Sequence, residues 1–301
     1  MRLHILGCYS ATPRTLTNPT AQVLEVRNHI FLIDCGEGTQ VQLRKNKIRF
    51  SRIKHIFISH LHGDHFFGLP GLVSTFRLLG RKTELHIYGP KGIKEAITLL
   101  LKLGDSWTNY PLVFHELDSR EPELLFEDEK VGVHTIPLQH RVYTNGFLFK
   151  EKPLPRNLNI DVVRKYGIEK NAYDNIKKGD DFVLDNGTVI SNQELTLDPP
   201  KPKSYAFCSD TVYDEQLVFR VSGVDVLYHE STFLQSEEHL GERTKHATAK
   251  QAACIAKKAG VGMLILGHYS TRYKSIEMFR EEALPVFANT ELADDGKIFE
   301  L

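Results

Sequence analysis

Apolar residues in this chain gather into short β-favouring runs separated by polar and glycine-bearing breaks. In the first half, Leu3–Leu6, Gln22–Val26, Ile30–Ile33, His55–Ile58 and Leu85–Tyr88 read as strands. Between residues 92 and 104 the period becomes helical. Ile93, Ala96, Ile97, Leu100 and Leu103 fall on one stripe, and Gly104 supplies a stop. In the second half, Val131–Leu138, Tyr205–Cys208, Val224–Tyr228 and Met263–Leu266 read as buried strands. A helix is predicted after Thr248, which has capping-box spacing to Gln251. Ala252, Ile255, Ala256 and Ala259 make its apolar face and Gly260 ends it. Strands mixed with helices in both halves predict an α/β protein layered about two sheets.

The stretch from about residue 150 to 181 breaks this pattern. It is polar, interrupted by Gly167 and Gly179, and carries eight Lys or Arg against six Asp or Glu. It reads as a surface insertion with a short helix near Asp161–Tyr166. Insertions of this length inside a compact domain are commonly functional. Lys152, Lys165, Tyr166, Lys170, Tyr173, Lys177 and Lys178 are its candidate contacts to phosphates and bases.

Composition narrows the partners. With 41% hydrophobic residues the chain can bury a sizeable core, and 38 basic residues balance 38 acidic ones. Whole-chain charge therefore draws no polyanion, although a local basic patch still could. Cys8, Cys35, Cys208 and Cys254 show no C-x-x-C spacing, which argues against a disulfide scaffold and for a reducing cytoplasm. No apolar run approaches the roughly 18 residues of a membrane span. The N-terminus reads as a first strand and not a signal peptide.

The sharpest chemical signal is Ser59-His60-Leu61-His62-Gly63-Asp64-His65, directly after a predicted strand. Imidazole and carboxylate donors are what zinc and similar ions take. Alternation puts His60 and His62 on one side, and Gly63 lets the chain turn so that Asp64 and His65 face a second ion. Three more predicted strands run into suitable residues: His140, Asp210 and His268. Strand C-termini are where α/β sheets place their sites. The expected arrangement gives His60, His62 and His140 to one ion, Asp64, His65 and His268 to another, with Asp210 between them.

These motifs resemble the metallo-β-lactamase superfamily and, within it, the ribonuclease Z family of tRNA 3′-processing endonucleases. The resemblance includes Leu6-Gly7 with the Thr12-Pro13 turn, Phe31 to Gln40 with Gly36-Glu37-Gly38-Thr39-Gln40, and Phe66 to Leu72. It continues through Ser209-Asp210-Thr211, His229-Glu230-Ser231-Thr232, His246-Ala247-Thr248 and Gly267 to Tyr273. It implies a four-layer αβ/βα sandwich over residues 1–301, with a protruding RNA-binding arm inserted at about 150–181. Where the family carries Gly-Ile-Pro in that arm, this chain has Gly167-Ile168-Glu169. Two zinc ions per subunit, a homodimer and precursor tRNA as substrate are also implied. The expected reaction removes a 3′ trailer, leaving a 3′-hydroxyl on the tRNA and a 5′-phosphate on the trailer. The resemblance places His246 near the leaving oxygen as the general acid, and Asp64 is read as both metal ligand and proton acceptor. Asp34 and Glu230 would orient neighbouring groups, and Ser270 and Arg272 would contact RNA phosphate. Two other readings remain at this point: a small-molecule hydrolase acting on thioesters, lactams or cyclic nucleotides, and a non-catalytic RNA-binding subunit.

Overall fold

The structure is a computed structural model that describes residues 1–12 and 14–301. Pro13 of the Thr12-Pro13 turn therefore lies outside the described residues. Two compact units are present, one of residues 1–150 with 203–301 and one of Glu151–Pro202.

In the larger unit, one sheet is built from β1 (Arg2–Gly7), β2 (Ala21–Val26), β3 (His29–Ile33), β4 (Ile53–Phe57), β5 (Leu85–Pro90) and β6 (Leu112–Leu117). Helices α1 (Thr39–Lys45), α2 (Gly63–Phe66), α3 (Leu69–Leu78) and α4 (Ile93–Leu103) connect these strands. A second sheet begins with β7 (Leu124–Glu127), β8 (Val131–Leu138) and β9 (Thr144–Glu151).

The smaller unit follows, with β10 (Asn157–Leu158), α5 (Ile160–Lys165), α6 (Tyr173–Lys178), β11 (Phe182–Val183), β12 (Val189–Ile190), α7 (Asn192–Leu195) and β13 (Thr196–Leu197). The chain then returns through β14 (Ser204–Cys208), α8 (Gln216–Arg220), β15 (Val226–Glu230), α9 (Glu238–Thr244), α10 (Ala249–Ala259), β16 (Met263–Gly267), α11 (Glu277–Ala283), β17 (Thr290–Leu292) and β18 (Ile298–Glu300). The strand orders are β18-β1-β2-β3-β4-β5-β6 and β17-β16-β15-β14-β9-β8-β7.

Strand alternation explains the layering. In β3, Phe31 and Ile33 enter a core shared with Phe147, Phe149 and Tyr205 of the second sheet. Ile30 and Leu32 point the other way, joining Leu72, Phe76, Ile93 and Ile97 beneath the helices. Both faces are buried, so these strands read as near-continuous apolar runs. The capping box closes as predicted: Thr248 accepts from the Gln251 amide and Gln251 accepts from the Thr248 amide. Gly260 ends α10 in the left-handed region at φ 63°. Such a cap contributes about 1 kcal/mol.

Two expectations need correction. The buried row of α4 is Ile93, Ile97 and Leu101, while Leu100 and Leu103 are 49% and 75% exposed. The spacing of four keeps one row against the sheet, and the remaining leucines face outward. The insertion also extends beyond residue 181, because β12, α7 and β13 belong to its fold. Val163, Ile168, Ile176, Ile190 and Leu195 form a small core there, and β13 pairs back onto β10. Its short helix is Ile160–Lys165.

Candidate metal centre and active site

Parallel strands aim their C-terminal ends the same way, and the site forms there. β4 leads into His60–His65, β8 to His140, β14 to Asp210 and β16 to His268. Asp34, Asp210 and His268 all have left-handed backbones, with φ of 55°, 60° and 60°. That region is costly for residues with side chains, and its use here turns each side chain out of its strand. The Gly36 and Gly68 elements serve close packing: a Cβ on Gly36 would lie 2.4 Å from the Asp64 carbonyl, and one on Gly68 2.1 Å from the Gly36 carbonyl. Cys35 N donates to the His65 carbonyl at 2.7 Å, locking that turn to the end of β3.

Hydrogen bonds set the imidazole tautomers. His65 Nδ1–H donates to Asp34 at 2.7 Å, and His140 Nδ1–H donates to the Lys245 carbonyl at 2.8 Å. The Thr232 hydroxyl donates to Glu230 at 2.5 Å, so its oxygen accepts from His268 Nδ1–H at 2.9 Å. Ser59 donates to Asp34 at 2.9 Å, leaving its oxygen to accept from His60 Nδ1–H at 3.0 Å. With Nδ1 committed in each, the four imidazoles turn Nε2 toward the centre, where an ion can displace any proton it carries. His62 turns Nδ1 inward, 2.9 Å from His60 Nε2.

These atoms form two groups. His60, His62, His140 and Asp210 offer donors within 4.8 Å of one another, as do Asp64, His65 and His268. Asp210 spans both, with Oδ1 3.2 Å from His65 Nε2 and His268 Nε2. Its Oδ2 lies 3.6 Å from His60 Nε2 and 3.7 Å from His140 Nε2. The structure therefore brings together all seven residues singled out as ligands. His65 Nε2 and His268 Nε2 are buried and make no hydrogen bond. Buried nitrogens of this kind, converging with carboxylates, fit divalent ions.

Electrostatics favours the same occupant. Burial holds the His60, His62 and His140 imidazoles below their ordinary range, so they stay neutral. Burial also penalises protonation of His65, but Asp210, Asp64 and Asp34 outweigh it and push that imidazole well up. Burial raises Asp64, yet His65 and His268 carry it below the usual carboxylate range. The carboxylates thus demand positive charge, which a proton or a metal ion can supply.

His246 stands beside this cluster, with Nδ1–H donating to Glu230 at 2.8 Å. Burial alone would lower the imidazole, but the Glu230 carboxylate raises it to about 9. Its Nε2 is left free of that bond. Glu230 is buried and also accepts from the Thr211 amide at 2.8 Å. A cavity of about 420 Å³ in front of these groups is lined by His62, Asp64, Asp210, His246, His268 and Ser270.

Arg272 lies beside Ser270, with Nε donating to its hydroxyl at 3.3 Å. It pairs with Glu237 at 3.0 Å and lies over the Phe233 ring. Arg141, which sequence reasoning passed over, lines the cavity. Adjacency to His140 was its only signal. Ser59 and Thr232 stand within quoted motifs that assigned them no role, and the Lys245 carbonyl had no signal. A larger cleft of about 890 Å³ at the opposite strand ends contains His29, His55, His86 and His115. There, His29 and His86 already face Asp128 and Glu84, and no three donors among the described residues converge.

The chain is 49% identical over 294 residues to a protein named ribonuclease Z from Bacteroides fragilis, covering 98% of this chain and 97% of the relative. It is 44% identical to ribonuclease Z from Porphyromonas gingivalis, covering 97% and 96%. Human short-form tRNase Z superposes with a TM-score of 0.72 at 28% identity, covering 100% of this chain and 99% of that one. The metallo-β-lactamase fold protein YhfI from Bacillus subtilis, at 17% identity, shares the fold with a TM-score of 0.70 and covers 99% and 98%. A family model described as anti-Pycsar protein Apyc1 matches residues 1–140.

Proposed function

The chain belongs to the ribonuclease Z family, and from that premise we propose a zinc-dependent endoribonuclease that removes the 3′ trailer from precursor tRNA. Cleavage leaves a 3′-hydroxyl on the tRNA and a 5′-phosphate on the trailer. The observation that carries this reading is the convergence of His60, His62, Asp64, His65, His140, Asp210 and His268 on two adjacent points beside His246.

His60, His62 and His140 would hold one zinc ion, and Asp64, His65 and His268 the other, with one Asp210 oxygen turned to each. When bound, such a pair supplies Lewis acidity to phosphoryl oxygens and a water of lowered pKa. Asp64 receives the proton of the attacking water as the new oxygen–phosphorus bond forms. The bond from phosphorus to the ribose 3′-oxygen breaks, and His246 protonates that oxygen from Nε2. Glu230 keeps His246 charged for this step, and Asp34 keeps His65 facing the centre. General acid help of this kind is typically worth about 10²–10⁴ in rate.

The Glu151–Pro202 unit is the candidate RNA-gripping arm. Lys165, Lys170 and Lys178 are exposed on it, whereas Tyr166 and Tyr173 pack on its own core. Backbone phosphates, not stacked bases, are therefore its expected contacts. For a homodimer, the supporting feature is exposed apolar surface at the C-terminal ends of α3 and α4. Leu78, Leu79, Leu99, Leu100, Leu103 and Trp107 are all about half exposed or more. Both helices return from parallel strands, so these ends lie together. Sedimentation should give a dimer that Leu103→Glu weakens; a monomeric wild type would oppose this. Among the described residues no helix is long and apolar enough to cross a membrane. Four free cysteines fit a cytoplasmic location.

A substrate panel tests the proposal against a small-molecule hydrolase. Precursor tRNA should be cleaved far faster than a thioester, a lactam or a cyclic nucleotide. The reverse order would remove the tRNA assignment.

A further inference from the structure

Arg141 sits on the loop between β8 and β9, immediately after His140, and lines the cavity with His62, Asp64, Asp210, His246 and His268. The loop is pinned. His140 donates to the Lys245 carbonyl, the Val212 amide donates to the Gln139 carbonyl, and the Asn145 amide donates to the Ser59 carbonyl. The Arg141 side chain itself is exposed. Among the described residues it has neither an ion-pair partner nor a hydrogen bond. Other arginines around the fold are committed: Arg272 to Glu237, Arg14 to the Tyr273 carbonyl, and Arg220 to the Pro137 carbonyl.

An unpaired guanidinium at the mouth of a carboxylate-rich cavity is placed for an incoming anion. A planar fork of N–H donors matches phosphoryl oxygens in a way an ammonium cannot. We propose that Arg141 is a further catalytic residue, whose guanidinium takes a non-bridging oxygen of the phosphodiester in the cavity. This rests on the hydrolytic reading of the same site. Negative charge grows on the non-bridging oxygens as water adds to phosphorus. A donor held there is worth more in the transition state than in the bound substrate, and loss of one such donor typically costs about 10²–10³ in kcat. No bond to Arg141 is made or broken.

The test uses the zinc-loaded full chain with R141A and R141K, assayed on precursor tRNA and on bis-p-nitrophenyl phosphate. In R141A, kcat should fall roughly a hundredfold on both substrates with zinc content unchanged. R141K should recover little of it. Added guanidinium should restore part of the rate to R141A and none to wild type. A readout without turnover is inorganic phosphate binding by calorimetry, which should weaken in R141A.

Wild-type kcat on bis-p-nitrophenyl phosphate in R141A would overturn the proposal. So would a raised KM on RNA with unchanged kcat, which would mark a contact to a remote phosphate. Failure of the wild-type protein to cut precursor tRNA would count against the ribonuclease reading alone, and the small ester would still decide Arg141.

Discussion

Glu230→Gln isolates the electrostatic control of the general acid. Glu230 is fully buried and holds the His246 imidazolium at 2.8 Å, raising it from 6.5 to about 9 against the effect of burial. Glutamine keeps an acceptor oxygen for His246 and the Thr211 amide but removes the charge. The largest upward pull then disappears, while burial still lowers the imidazole and Asp210 still raises it, so it falls from about 9 toward its ordinary 6.5. Each unit of that fall favours deprotonation by about 1.4 kcal/mol. A fall all the way to the ordinary value takes the protonated fraction at pH 7.5 from nearly all to about one tenth. Turnover of precursor tRNA should therefore drop by up to about tenfold at pH 7.5 and recover as pH is lowered. The alkaline limb of the kcat profile should move down from near 9. Arm-dependent KM should not change, and zinc content is measured alongside because Thr232 links Glu230 to His268. A Glu230→Gln profile with its alkaline limb still near 9 would refute the pairing as the source of acidity.

Other outcomes follow from the same structure. His246→Ala should slow turnover by about 10²–10⁴ with metal content intact; unchanged turnover would remove it as the acid. Chelator dialysis should abolish activity, and zinc rebinding should release protons, because His65 is held protonated by Asp210, Asp64 and Asp34. Calorimetry in buffers of different ionisation enthalpy measures that release. Replacing Glu151–Pro202 with a short linker should raise KM for precursor tRNA and spare bis-p-nitrophenyl phosphate; equal losses would make the unit structural.

His55 offers a stability test away from the site. Burial holds it at about 3, below its ordinary 6.5, so the unfolded chain binds the proton more readily. Stability from this residue is present above pH 6.5 and is lost as pH falls toward 3. About 2 kcal/mol should disappear between pH 7 and 5. His55→Phe, set among Phe31 and Phe126, should flatten that slope in denaturant titrations.

Much of this was legible because strand alternation and ligand chemistry are local signals. The H-x-H-x-D-H array, the strands feeding His140, Asp210 and His268, and the Thr248 cap all lie within a few residues of their causes. The outward face of α4 was misread because the apolar period fits both Leu100 and Leu101. Only packing on the sheet selects Leu101. Arg272, read as a phosphate contact, also pairs with Glu237, which is distant in sequence. Arg141 and the Lys245 carbonyl depend on how the β8–β9 loop meets the end of α9. No run of residues encodes that meeting.

The most direct test is incubation of the protein with end-labelled precursor tRNA, with and without chelator, followed by mapping of both product ends. The account predicts a single cut at the 3′ side that yields a tRNA 3′-hydroxyl and a trailer 5′-phosphate, blocked by chelator and restored by zinc. Cleavage that persists in chelator, or products ending in a 3′-phosphate, would contradict it.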